Sequence, residues 1–334
     1  MAKVKESKEK MNLEETLKDL DKKYGKGSVM SGGELEGCSA VVSTGSIGLD
    51  SALGIGGLPM GKIIEIYGWE SSGKSTLTQT IIGNAQKLFK ETGRKCLLID
   101  GENSLDEKYA KNLGVDMNEL LLIQLDESAG EGAYTKMEAL VETGEIGLVV
   151  IDSYNSLQPK SVLIDGEFGQ AVIGKHAKLV GDVVQKANLL CSKYDCMFIF
   201  IGQIREKIGV MFGSPETTQG GNALKFYSHI RLDVRKSMLK EGDVYYANKT
   251  KVTVKKNKMA PPFKVAEFEI VFGKGIDSTK ELLDLGSDQE VFRKYGNNIT
   301  YNENKVTIEE FITQLDNEDF RKEIVEKISE KLSK

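Results

Sequence analysis

An α/β fold built on a mainly parallel central sheet flanked by helices is what this chain predicts, and three observations carry that expectation. Four near-continuous apolar runs, Lys62 to Tyr67, Lys95 to Asp100, Gly147 to Asp152 and Met197 to Gln203, are separated by helical patterns. Strands buried on both faces of a parallel sheet read in this way, because helices cover each side. A glycine-containing loop, Gly68-Trp69-Glu70-Ser71-Ser72-Gly73-Lys74-Ser75, lies between the first run and a helical pattern starting at Thr76. From Ile230 onward the rhythm changes to Ile-Arg-Leu-Asp-Val, Lys-Val-Thr-Val-Lys and Ala-Glu-Phe-Glu-Ile-Val-Phe, the alternation of half-exposed antiparallel strands.

Taken in order, Asn12 to Tyr24 places Leu13, Leu17, Leu20 and Tyr24 at helical spacing and stops at Gly25 and Gly27. A lone helix of this length is marginal unless its apolar face docks, either on its own core or on a neighbouring subunit. The Gly/Ser-rich stretch Gly25 to Gly37 detaches it from the strand and helix pattern. Beyond Gly273-Lys-Gly-Ile276 the pattern turns helical again at Ile308 to Leu315 and Phe320 to Leu332. The expected division is 1–38 for helix and linker, 39–276 for the core and 277–334 for a small α+β domain.

Composition narrows the class. With 334 residues, 28% charged and 40% hydrophobic, the chain matches an ordinary globular protein. No apolar stretch is long enough to span a bilayer, and Met1 to Lys10 carries no apolar signal region, so a cytoplasmic protein without a membrane partner is expected. Cys38, Cys96, Cys191 and Cys196 form no Cys-x-x-Cys pair, and only His176 and His229 could supplement them. They read as small buried hydrophobes rather than a disulfide frame or zinc site. A net charge of −5 excludes a uniformly basic protein coating DNA by bulk electrostatics, though not a local DNA groove.

Between a strand and a helix, the Gly68 to Ser75 loop has the order that phosphate binding needs. Glycines let successive backbone N–H groups curl toward the β- and γ-phosphates, Lys74 adds a movable positive charge, and Ser75 offers a hydroxyl to Mg²⁺. Thr76 continues into the helix. Nucleoside triphosphate binding is therefore expected. The run Leu148-Val-Val-Ile-Asp152 ends a strand on a carboxylate, which suits a second Mg²⁺ contact. Glu102 lies just past the neighbouring strand end, where a carboxylate can activate the attacking water; a surface glutamate is the alternative. Ligands in such sheets sit beyond the carboxyl ends of the strands, so this loop, Asp100, Glu102, Asp152 and Gln203 should converge.

Two further segments are long, glycine-rich and yet apolar. Ile204 to Asn222 contains Ile208, Val210, Met211 and Phe212, and Asp165 to Gly174 contains Phe168 and Ile173. Arg205, Lys207 and backbone amides in such loops could grip single-stranded DNA by its phosphates while apolar side chains part its bases; a lid over a small substrate is the other reading.

The chain resembles the bacterial RecA recombinase family. The resemblance runs from about Leu13 to Ile276, through Ser43-Thr-Gly-Ser, Gly57-Leu-Pro-Met-Gly61, Glu70-Ser-Ser-Gly-Lys74, Tyr109-Ala-Lys-Asn-Leu-Gly-Val-Asp116, Lys207-Ile-Gly-Val-Met-Phe-Gly213, Pro215-Glu-Thr-Thr218, Gly220-Gly-Asn-Ala-Leu-Lys-Phe-Tyr227 and Pro262-Phe-Lys264. It implies a RecA-type P-loop ATPase core that forms an ATP-dependent helical filament on single-stranded DNA, finds a homologous duplex and exchanges strands. It implies that Glu102 is catalytic, that Asp106 and Tyr109 contact adenine, and that Gln203 senses the γ-phosphate. Lys256 and Lys258 then reach a neighbouring subunit's ATP. Asp165 to Gly174 matches the first DNA loop and Ile204 to Asn222 the second, with Ile173 and Ile208 as wedges between base triplets and Gly220, Gly221 and Asn222 closing the second loop.

Departures from the family pattern stand beside these matches. Gly202 replaces an expected asparagine, Trp69 an expected proline, Gly101-Glu-Asn an expected Ala-Glu-His, and Lys178 and Gln185 stand where arginines are common on the DNA side. From Arg321 on, lysine and arginine outnumber glutamate, in place of the acidic tail of many members. Such divergence leaves a housekeeping or a phage-encoded origin open. Beside a recombinase, two other readings stay open: a ring helicase or kinase-like ATPase, and a filament acting as the scaffold on which a LexA-like repressor cleaves itself.

Overall fold

The computed structural model describes residues 12–25, 28–29, 39–163, 170–206, 216–218 and 220–333. Two compact units divide between Ser39 and Ala40. In the first, α1 (Leu13–Tyr24) starts with Glu14 and Glu15 and ends with Lys22 and Lys23, charges that complement the helix dipole at both ends.

The second unit begins with β1 (Val41–Val42), α2 (Ile47–Leu53) and β2 (Leu58–Pro59), β1 and β2 pairing antiparallel. The alternating part follows: β3 (Ile63–Gly68), α3 (Lys74–Phe89), β4 (Lys95–Asp100), α4 (Glu107–Asn112), β5 (Leu120–Gln124), α5 (Ala129–Val141) and β6 (Ile146–Asp152). After α6 (Lys160–Leu163) come α7 (Gln170–Tyr194), β7 (Met197–Glu206), β8 (Glu216–Thr218) and α8 (Ala223–Tyr227). A meander of β9 (Ile230–Glu241), β10 (Val244–Asn257), β11 (Val265–Val271) and β12 (Gly275–Ile276) completes the sheet.

Among the described residues this is a ten-stranded sheet in the order β12-β11-β10-β9-β3-β7-β6-β4-β5, with β8 paired to the end of β7. Pairings from β9 through β3, β7, β6 and β4 to β5 are parallel, and those from β9 to β12 are antiparallel. The expected α/β class with a mainly parallel sheet and a small C-terminal α+β domain is the observed fold. All six residues of β3 and the first six of β7 are buried, as a strand covered on both faces requires. Each fully buried Ile or Leu, such as Ile63, Ile66, Leu97 and Ile151, contributes about 1.5–3 kcal/mol of hydrophobic stabilisation.

Strand β5 has no counterpart in the sequence expectations. It is an edge strand whose Leu121 and Leu122 are both exposed, so its leucine run neither alternates nor reads as a doubly covered strand. The antiparallel strands β9 and β10 extend well past the alternating segments, to Glu241 and from Val244, because Lys236 to Met238 and Val244 to Tyr246 are exposed on both faces and carry no alternation. Cys96, Cys191 and Cys196 are buried and unpaired; Cys38 lies outside the described residues. No described helix is long and apolar enough to cross a membrane.

The C-terminal part comprises α9 (Ser278–Asp288), β13 (Arg293–Tyr295), β14 (Asn298–Tyr301), β15 (Asn304–Thr307), α10 (Ile308–Gln314) and α11 (Glu318–Leu332). Its own core gathers Leu282, Phe292, Ile299, Phe311, Ile324 and Ile328. Asp277 caps α9, and Thr307 with Glu310 forms a reciprocal capping box on α10. One polar bridge ties this part to α2. The buried Glu281 carboxylate accepts hydrogen bonds from Ser46 Oγ at 2.5 Å and from the Ile47 and Gly48 backbone N–H groups, each at 3.0 Å. Burial pushes the Glu281 carboxyl up to about 7 against the lowering effect of these three donors.

Candidate active site

Sheet order brings the carboxyl ends of β3, β7, β6 and β4 side by side, and the expected site residues follow those ends. Gly68 closes β3 opposite Val234, where an added Cβ would lie 2.2 Å from the Val234 carbonyl oxygen. No larger residue fits there. The loop then curls through Ser71 at φ 56 and Gly73 at φ 95, left-handed conformations that turn the chain into α3 at Lys74. Glu70 and Ser71 are exposed, while Ser72 is buried.

Lys74 is almost fully buried, and its Nζ donates to the Gly68 and Trp69 carbonyl oxygens at 3.3 and 2.8 Å. Burial lowers its ammonium below the usual lysine range, opposed by the negative charges of Asp152, Glu102 and Glu70. Ser75 Oγ donates to Asp152 Oδ2 at 2.7 Å. Burial raises the Asp152 carboxyl to about 6, the Ser75 hydrogen bond acting against it. A hydroxyl and a carboxylate already in contact are the oxygen donors a hard divalent cation takes.

On the other side of α3, Thr76 Oγ1 and Tyr109 Oη lie 3.0 Å apart, and Asp106 caps α4 by accepting from the Tyr109 N–H at 2.9 Å. These residues line a cleft of about 680 Å³ together with Ser71, Lys74 and Phe272. Phe272 and the buried Asn248, which lines the same cleft, were not among the expected site residues. They come from the meander, far from the loop in sequence, and no local motif marks them.

Glu102 sits within this constellation. Its Oε1 accepts from Ser153 Oγ at 2.8 Å and from Gln203 Nε2 at 3.2 Å. Asp100 fixes the intervening turn by accepting from the Glu102 and Leu105 N–H groups at 3.3 and 3.0 Å. Gln203 is itself held through its backbone N–H, which donates to Asn155 Oδ1 at 2.9 Å.

Lys256 and Lys258 lie elsewhere. Lys256 pairs with Arg231 and Arg231 with Glu65, so the two lysines stand at the amino ends of the parallel strands, whereas Gly68 pairs with Val234 at the carboxyl ends. Three residues of strand separate those levels, roughly 10 Å. Lys256 Nζ donates to the Lys225 and Phe226 carbonyl oxygens at the end of α8, at 2.7 and 3.0 Å. Burial, then the neighbouring Lys258 charge, lowers its ammonium. Lys258 N–H donates to the His229 carbonyl at 2.9 Å, and burial, with the charges of Lys258, Lys62 and Lys256 adding to it, depresses His229 to about 4.

Of the residues expected at DNA, Arg205 is exposed on β7 and Lys178 is exposed on α7. Gly220 and Gly221 adopt φ 82 and φ 78, and Asn222 precedes α8. The expected loops are more ordered in part. Helix α7 starts at Gln170, so the Ile173 backbone is helical, and β7 with β8 forms an antiparallel pair within the second loop segment. Lys207 and Ile208 lie outside the described residues.

A phosphate-binding loop between β3 and α3, with carboxylates at the ends of β4 and β6 and the Gln203 amide of β7 level with the end of β3, defines a P-loop ATPase. The family model described as the RecA N-terminal domain matches residues 11–277. Protein RecA of Clostridioides difficile (strain 630) is 46% identical over 323 residues, covering 95% of this chain and 90% of that protein. Protein RecA of Ruegeria pomeroyi is 50% identical over 298 residues (88% and 84%), and that of Delftia acidovorans 48% over 297 residues (88% and 79%). The chain belongs to the RecA family. It is an ATP-dependent recombination and DNA-repair protein, a DNA-dependent ATPase that binds nucleotide and DNA and polymerises with itself.

Proposed function

We propose that ATP occupies the cleft with its phosphates against the Gly68–Thr76 backbone and its adenine beside Asp106 and Tyr109. Trp69, Glu70, Ser71, Ser72 and Gly73 contribute through the loop backbone, and Lys74 turns its ammonium from the loop carbonyls to the phosphates. Ser75 and Asp152 hold Mg²⁺, which when bound neutralises charge on the phosphate oxygens. Glu102 orients and deprotonates the attacking water, and its carboxylate is poised by Ser153 and Gln203. Gln203 then reports the γ-phosphate to the β7–β8 pair. Lys256 and Lys258 serve the nucleotide of an adjacent subunit, where cations stabilise charge on the transferring phosphoryl group.

Single-stranded DNA contacts Lys178, Arg205, Lys207 and the amides of Gly220, Gly221 and Asn222, with Ile173 and Ile208 as apolar wedges. The assembly is a helical homopolymer that pairs this strand with a homologous duplex. Residues 1–38 serve polymerisation, 39–276 the ATPase and DNA loops, and 277–334 form the C-terminal domain. The protein acts in the cytoplasm, and its filament also serves a LexA-like repressor as a scaffold for self-cleavage.

The observation that carries this reading is the Gln203 Nε2 to Glu102 Oε1 contact of 3.2 Å, because β7 runs from Gln203 directly into the DNA-facing pair. The experiment is a strand-exchange assay between circular single-stranded and homologous linear duplex DNA with ATP and Mg²⁺. Joint molecules that need homology support the recombinase. Closed rings that unwind duplex without homology would replace it with a helicase.

A further inference from the structure

The one tryptophan of the chain stands inside the phosphate-binding loop, and its side chain reaches across to another part of the sheet. Trp69 Nε1–H donates to Glu216 Oε1 at 3.1 Å. Glu216 opens β8, whose partner β7 carries Gln203 and Arg205, and Glu216 pairs with Glu206. That carboxylate is anchored. Arg235 of β9 grips it with two parallel bonds of 2.7 and 2.6 Å, and the same guanidinium holds Asp233 Oδ1 at 2.6 Å. A fork on a carboxylate fixes direction as well as distance. The Arg235 hydrogen bonds hold the Glu216 carboxyl below its usual range.

The same tryptophan is tied at its backbone. Its carbonyl oxygen accepts from Lys74 Nζ at 2.8 Å and from the Ser72 N–H at 3.3 Å. An ammonium has three donors, and turning them to phosphate oxygens draws Lys74 away from this carbonyl. The Trp69 carbonyl then loses the shorter of its two contacts and keeps the one from Ser72, while its indole stays hinged on Glu216. A change at the phosphates is thereby delivered to the start of β8, on a path separate from Gln203.

We propose that Trp69 is a positioning residue that couples nucleotide occupancy at Lys74 to the β7–β8 pair through its hydrogen bond to Glu216. The proposal rests on the reading of Gly68–Thr76 as the nucleotide site. Coupling of two ligands is reciprocal, so the factor by which nucleotide tightens DNA binding equals the factor by which DNA tightens nucleotide binding. A merely structural tryptophan would leave that factor alone.

The test uses the full chain with 3-benzothienylalanine at position 69, which exchanges the indole N–H for sulfur and keeps the ring size. Glu216→Ala is the second variant, since it leaves the phosphate loop itself intact. Affinity for a fluorescent oligo-dT is measured with and without a saturating non-hydrolysable ATP analogue and Mg²⁺. The ratio of the two dissociation constants should fall about five-fold in the position-69 variant, the size expected from one lost hydrogen bond, and at least as far in Glu216→Ala, which also releases Arg235. A ratio equal to that of the unmodified protein in both variants overturns the proposal. If one variant does not fold, the other decides. Analogue binding without DNA separates the two readings: equal binding by the unmodified protein and Lys74→Ala would remove the nucleotide-site reading, whereas an unchanged ratio beside Lys74-dependent binding removes only the role of Trp69.

Discussion

The Tyr154 hydroxyl fills the space that a side chain at Gly202 would need: a Cβ there would lie 2.5 Å from Tyr154 Oη and 2.8 Å from Cε1. Gly220 meets the other edge of the same ring, its added Cβ falling 2.9 Å from Cε2. Tyr154 is fully buried and lies two residues beyond Asp152, which ends β6. The glycine that replaces the family's asparagine beside Gln203 thus has a physical reason in a large ring on the neighbouring strand end.

Gly202→Ala should therefore destabilise the protein by about 1–3 kcal/mol through overpacking. Tyr154→Val should also destabilise it, through a cavity, but the double variant should cost less than the sum of the two. Chemical denaturation of the three variants checks this, and simple additivity would show that the two positions do not compete for the same space.

How much of this was legible in advance follows from how far apart the partners lie. The phosphate loop, Asp152 and Glu102 were readable because each is a local signal: a loop between a strand and a helix, or a carboxylate at the end of an apolar run. The sheet was readable where strands are doubly buried, as in β3 and β7, and unreadable at β5, whose edge position leaves two leucines exposed. Trp69 stood out in the loop, yet Glu216, 147 positions on, could not be paired with it without the sheet order. Phe272 and Asn248 were missed for the same reason. Lys256 was named from resemblance, and its engagement with the carbonyl end of α8 came only from the fold.

Glu102→Gln should bind ATP and DNA while hydrolysis falls by roughly 10²-fold or more, because the carboxylate acts on water and contributes little to ground-state binding. Long-lived filaments should accumulate. Single-turnover hydrolysis measures this, and native turnover in the variant would remove Glu102 from the reaction.

A chain carrying Lys256→Ala and Lys258→Ala, mixed with a Glu102→Gln chain, should recover activity that neither has alone. Mixed interfaces join an intact Glu102 cleft to intact lysines from the neighbour. DNA-stimulated ATPase, with co-assembly verified by labelled subunits, provides the readout. No recovery would place the lysines outside the shared site.

The Glu281 bridge predicts a pH dependence with a definite sign. Its folded value of about 7 lies above the reference 4.5, so over that range the folded chain keeps a proton that the unfolded chain has lost. The resulting stabilisation is fully present below about pH 4.5 and is lost as pH rises through about 7. It is worth about 3 kcal/mol at most. Glu281→Gln retains an acceptor for Ser46 and does not titrate, so its melting temperature should change less than that of the native chain between pH 5 and 7. Parallel melting profiles would contradict the shift.

Arg205→Ala should weaken single-stranded DNA binding almost independently of base sequence and flatten its salt dependence by about 0.7 in the log–log slope, the contribution of one phosphate contact. Titrations at several salt concentrations decide. An unchanged slope would show that Arg205 neutralises no phosphate.

Strand β9, parallel to β3 and antiparallel to β10, gives the molecule two unlike faces: a cleft at one end of the sheet and Lys256 with Lys258 at the other. Joining one face to the other copy's opposite face produces a directional chain rather than a closed pair. On the proposed cross-subunit role of Lys256 and Lys258, a linear run of subunits contains one fewer completed cleft than it has members. Activity per subunit should climb with length and level off, short oligomers being disproportionately slow. The two tips also differ chemically, so growth and loss of subunits need not proceed at the same end.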